Sequence, residues 1–108
     1  MAKLAEKKCV ACSGGTPPIT ADAIKPLLQQ IRGWEVVDNH HIKKQFKFPD
    51  FKTALDFVNK VGEIAEEEDH HPDICFAWGK VEVTTWTHKA KGLTENDFIL
   101  AAKIDRIR

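Results

Sequence analysis

The chain has 108 residues, enough for one domain with a single modest core that needs neither disulfides nor a metal to hold it. Its 16 Lys and Arg residues balance 16 Asp and Glu residues, so no net field draws it to nucleic acid or an anionic membrane, and a small molecule or a protein is the expected target. The opening residues lack the apolar run of a signal peptide, and no stretch reaches the roughly eighteen apolar residues of a membrane span, which makes the cytoplasm the expected compartment.

The first local feature is Cys9-Val10-Ala11-Cys12, whose spacing suits redox dithiols and half zinc knuckles. No second such pair follows, and three cysteines (Cys9, Cys12, Cys75) without a secretion signal argue against a disulfide framework. Ser13-Gly14-Gly15-Thr16-Pro17-Pro18 is a turn and linker signal. Residues 1–18 are therefore expected to form a flexible arm carrying the CxxC, and residues 19–108 a single domain.

Thr20 is a candidate cap for a helix over 21–32, where Ile24, Leu27, Leu28 and Ile31 recur at helical spacing and Gly33 supplies a stop; Pro26 predicts a kink or a late start. Alternation in 34–37 and 42–48 predicts a hairpin turning at Asp38-Asn39-His40. Behind Asp50, the residues Phe51, Ala54, Leu55, Val58, Val61, Gly62 and Ala65 follow a three-and-four rhythm, and Pro72 ends that helix. A second hairpin over 74–78 and 80–87 turns at Gly79, with Val81, Val83 and Thr85 on one face. Thr94 opens a last helix through Phe98, Ile99 and Ala102. The order α-ββ-α-ββ-α implies an α+β fold in two layers, a four-stranded antiparallel sheet with helices packed on one face. The other sheet face, with Trp86 among long polar residues, is a candidate for self-association.

Three of the five histidines fall at element ends: His70 and His71 where the long helix stops, and His88 where the last strand runs out. Glu66 lies four residues before His70, so a helix puts carboxylate and imidazole on one face. Imidazoles there can give a proton to a leaving hydroxyl and take one from an adjacent nitrogen, the requirement of a dehydration across a carbon-nitrogen pair. Two plainer readings stand beside this one. Glu66-Glu67-Glu68-Asp69 also suits a solvated helix end, and His70, His71 and His88 are conceivable zinc ligands. Neighbours on a helix project about 100° apart, however, so no metal is expected.

Glu66-x-x-x-His70-His71-Pro72, followed by Trp78, His88 and Asp97 at their intervals, resembles the signature of the pterin-4a-carbinolamine dehydratase family. The likeness runs from about Ile19 to the last helix and includes Gly33-Trp34, Phe46-x-Phe48-x-Asp50-Phe51, Thr87-His88 and Gly92-Leu93-Thr94. The cysteine-bearing leader also looks like that of bacterial members. The resemblance implies dehydration of a 4a-hydroxytetrahydropterin to a quinonoid dihydropterin, recycling the cofactor of aromatic amino acid hydroxylases, with no metal and no bound cofactor. By position it implies that His70 and His88 are the acid/base pair and His71 a further catalytic or orienting histidine. Glu66 and Asp97 are implied to hold these rings, Pro72 to shape the turn, Trp78 to fill the aromatic position, and Thr87 and Lys89 to offer hydrogen bonds to the pterin. A homodimer or homotetramer, with a hydroxylase as functional partner, is implied as well. Two other classes remain open at this point: a non-catalytic pterin-binding or protein-binding adaptor of the same fold, and a metal-binding protein.

Overall fold

The computed structural model describes residues 4–10 and 17–107. Among the described residues, three helices and four strands follow in the expected order: α1 (Ala21–Leu28), β1 (Glu35–Val37), β2 (His41–Lys47), α2 (Phe51–Glu68), β3 (Asp73–Ala77), β4 (Lys80–Thr85) and α3 (Glu95–Asp105). Short 3-10 turns add Leu4–Glu6 and His88–Ala90. The strands form one antiparallel sheet in the order β1-β2-β4-β3.

Sheet register sorts the side chains. Ile42 faces Thr85, Phe46 faces Val81 and Ile74 faces Val83, so these share the face that the helices cover. The neighbouring positions Lys43, Gln45, Glu82 and Thr84 lie on the other face. Lys44 belongs to the covered set, and its ammonium reaches Asp105 at 2.9 Å, where the Trp34 indole also donates at 3.0 Å. The first hairpin turns through Asp38 and Asn39, both at φ 53, with the His40 N–H donating to Val37 O at 2.9 Å. Two left-handed residues in succession match the twist of paired strands, and Asp and Asn tolerate that region best after glycine.

Helix α2 starts on Asp50, whose Oδ1 accepts from the Thr53 N–H and hydroxyl at 2.8 Å each. It buries Ala54, Phe57, Val61 and Ala65 against the sheet. Helix α1 starts at Ala21 with Pro26 inside it, not late as one reading of the sequence had it, and ends at Leu28, short of residue 32. Pro26 leaves one carbonyl of the previous turn without its N–H, and beyond Leu28 the chain tightens into i→i−3 bonds before Gly33 reverses it at φ 77.

Helix α3 is enclosed nearly all round: Phe98, Ile99, Leu100, Ala101 and Ile104 are all buried. One flank is covered by the segment read from the sequence as part of a flexible arm. Its described part, residues 4–10, lies against α3, with Leu4 only 3 % exposed and Ala5 O accepting from Lys103 Nζ at 2.9 Å. A single leucine in a polar stretch has no periodicity to announce it, so this packing leaves no mark in the sequence pattern. Cys12 and residues 11–16 lie outside the described residues, so the state of the CxxC as a pair does too. No helix among the described residues is long and apolar enough to cross a membrane.

Candidate active site

The site forms where the C-terminus of α2, the end of β4 and the first turn of α3 meet. Helix α2 stops because Asp69 turns left-handed (φ 52, ψ 41), and the His70 N–H bonds back to Ala65 O at 3.1 Å. That reversal separates two residues that a continued helix would have kept on adjoining faces. His70 turns inward to Asp97, Nε2 to Oδ1 2.6 Å, while His71 stays exposed and pairs with Glu66 at 2.5 Å. The i,i+4 pairing of Glu66 with His70 expected from the sequence is thus replaced by Glu66 with His71, five residues apart.

Asp97 is 0 % exposed and carries a full set of donors. Oδ1 accepts from His70 Nε2–H and from the Thr85 hydroxyl at 2.7 Å; Oδ2 accepts from the Thr87 hydroxyl at 2.9 Å and the Thr94 N–H at 3.0 Å. Since the single Thr87 proton points to Asp97, the Thr94 hydroxyl must donate to Thr87 Oγ1 at 2.8 Å. The arrangement fixes the His70 proton on Nε2 and leaves Nδ1 as the ring's other nitrogen.

His88 begins the 3-10 turn after β4. Paired bonds between Thr87 and Gly92 close this loop at 2.8 and 3.3 Å. Gly92 is required there, since a Cβ would come within 2.8 Å of Pro18. The His88 ring is exposed but stacked on Trp86, centroids 4.0 Å apart and planes at 20°. Trp86 packs in turn on His40 at 4.3 Å, and His40 meets His41, Nδ1 to Nδ1, at 3.1 Å.

A cleft of about 580 Å³ opens over these groups. Of the residues singled out from the sequence, His70, His71, Thr87, His88 and Lys89 line it. Asp97 stands behind His70, and Glu66 supports His71 from outside the lining. Pro72 follows the turn without lining the cleft. Trp78 is 70 % exposed at the tip of the β3-β4 hairpin, at the opposite end of β3 from His71, and the five residues of that strand span on the order of 17 Å. The structure also brings in Cys9, Val10, Trp86 and Asn96, none of them singled out as site residues from the sequence. Trp86 had a readable signal, since residues two apart on a strand share a face and His88 is two residues on. No group of three or more His, Cys, Asp or Glu side chains placed to hold a metal ion occurs among the described residues.

Comparison with known proteins fits this geometry. The sequence matches the family described as pterin 4 alpha carbinolamine dehydratase over residues 17–107. A Rubrobacter xylanophilus protein, provisionally named a pterin-4-alpha-carbinolamine dehydratase, is 58 % identical over 107 residues, covering 99 % of this chain and 100 % of the relative. A protein of the same provisional name from Rickettsia canadensis is 52 % identical over 106 residues, covering 97 % of each chain. Among solved structures, a Brucella melitensis protein described as a transcriptional coactivator/pterin dehydratase superposes with a TM-score of 0.79 at 37 % identity, covering 83 % of this chain and 97 % of the other.

Proposed function

Since the chain belongs to the pterin-4-alpha-carbinolamine dehydratase family, we propose that it dehydrates 4a-hydroxytetrahydropterin to quinonoid dihydropterin by histidine acid/base catalysis. The observation that carries this reading is His70 held on a fully buried Asp97 at the edge of a cleft that His88 also lines. In the reaction one imidazolium gives a proton to the 4a-hydroxyl, and the C4a–O bond breaks with its electrons leaving on water. A second imidazole takes the N5 proton, and the N–H electrons become the C4a=N5 double bond. One group loses a proton as the other gains one, so the pair ends charge-balanced. His70 and His88 are the two groups, with His71 catalytic or orienting; Thr87 and Lys89 flank His88 at the lining. Asp97 keeps the His70 ring oriented as a carboxylate does for a ligand histidine.

The substrate is what an aromatic amino acid hydroxylase releases after using its reduced pterin, so such a hydroxylase is the functional partner. The proposed compartment is the cytoplasm, and the proposed assembly a homodimer or homotetramer. Phe51, Leu55 and Trp78, large apolar side chains at the surface, support the assembly.

The deciding experiment follows dehydration of a 4a-hydroxytetrahydropterin against its spontaneous rate. The wild type is expected to accelerate it, and His70→Ala and His88→Ala to lose about 100-fold or more of that acceleration each. Variants that retain the full acceleration would refute the mechanism. Saturable pterin binding without turnover would instead favour the adaptor reading.

A further inference from the structure

A planar bicyclic ring held in a cleft needs apolar surface to lie against. Most residues of the lining carry polar groups, namely three carboxylates, three imidazoles, a hydroxyl, an amide and an ammonium; the side chains there without a strongly polar head are Trp86, Cys9 and Val10. Two of those three belong to the leader, ahead of the domain that the family match covers from residue 17.

The leader is held there by specific bonds. Asn96, next to Asp97 in the first turn of α3, grips Val10 on both sides: its Oδ1 accepts from the Val10 N–H at 2.9 Å, and its Nδ2 donates to Val10 O at 2.6 Å. The Cys9 N–H donates to Glu68 Oε1 at 2.8 Å, and the thiol lies 3.5 Å from Asn96 O. Glu68, two residues before His70, has a side chain only 7 % exposed and an ion pair to Lys103 at 3.7 Å. The same lysine donates to Ala5 O, so the described stretch 4–10 is held at Ala5 by α3 and at Cys9 and Val10 by Glu68 and Asn96, beside the His70–Asp97 pair. Val10 itself is 73 % exposed, an apolar side chain on the cleft lining that a bound ring would cover.

We propose that Cys9 and Val10 form one wall of the substrate site and set how tightly the pterin ring is held. The inference rests on the pterin reading above and adds to it a positioning role for residues before the catalytic domain. Cys9 acts as a neutral, compact surface and not as a nucleophile. Burial, with the negative fields of Glu68 and Asp97, pushes its thiol from 9.0 up to about 12.

The test is steady-state dehydration by wild type, Val10→Ala, Val10→Ile and Asn96→Ala, with the thermal midpoint of each as a check on folding. Val10→Ala is expected to raise KM roughly three- to tenfold, the scale of one or two methyl groups withdrawn from contact, with kcat within about twofold. Val10→Ile is expected to keep the wild-type KM, and Asn96→Ala to raise KM as the grip on Val10 is lost. Wild-type KM in both Val10→Ala and Asn96→Ala overturns the wall while leaving the dehydratase reading intact. A fall in kcat alone in Asn96→Ala assigns Asn96 to the Asp97 network and likewise overturns it. A wild type without turnover or pterin binding removes the functional reading, and the wall with it.

Discussion

Every donor around Asp97 is committed to it: His70, Thr85, Thr87 and the Thr94 N–H. In Asp97→Asn one oxygen becomes an NH2 that faces donors on whichever side it lies. The expected result is at least a tenfold fall in kcat, about the lower end of what a mispositioned acid/base group loses, together with about 1–3 kcal/mol of stability for the buried mismatch. Rates at saturating substrate and urea unfolding check the two halves separately. Cys9 makes a second prediction at this scale. A group whose folded pKa is raised adds stability that is complete below its unfolded value and disappears as pH climbs through the folded one. Wild type should therefore lose stability between pH 9.0 and about 12, and Cys9→Ala should flatten that alkaline limb in a series of thermal melts. The sequence reached these residues unequally. Helical spacing offered Glu66 for His70, but the left-handed Asp69 redirected both partners. The actual contact, from His70 to Asp97, spans 27 residues and became an expectation through family resemblance, since local spacing carries no information about it.

Among the elements, α2 has the clearest start signal and the most direct test. The Thr53 N–H, then its hydroxyl, hold the Asp50 carboxyl below its usual range. A depressed carboxyl contributes stability above its unfolded value of 3.8 and loses it as pH falls through the lower, folded one. Asp50→Ala should thus melt at a lower temperature than wild type at pH 7, with the gap closing as the pH falls below 3.8; a gap unchanged by acid would assign Asp50 no capping charge. Both hairpins and α2 were legible because alternation and the three-and-four rhythm report burial on one face; α3, buried nearly all round, was legible from its start at Thr94 with Glu95 and Asp97 behind it. The right end of α1 was not. Ile31 continues the apolar rhythm past residue 28 and is buried, but from a tightened turn after the helix. The 3-10 turn at His88–Ala90 escaped for a different reason: three residues are too few for any period.

At the scale of the molecule, residues 4–10 pack on α3 as part of the same core. Leu4→Ala should cost about 2 kcal/mol, the low end for a buried leucine near a chain end, measured by denaturant unfolding. Light scattering is expected to find a dimer or tetramer, and Phe51→Ser with Leu55→Ser to reduce it; a wild-type monomer would remove the proposed assembly. The three tryptophans sit in three settings: Trp34 in the core, Trp78 nearly bare, and Trp86 face to face with the imidazole of His88. With Trp34 and Trp78 changed to phenylalanine, the remaining indole becomes a built-in optical gauge of the cleft. Its emission would register ring arrival in a stopped-flow trace, with no label attached and before any bond is broken.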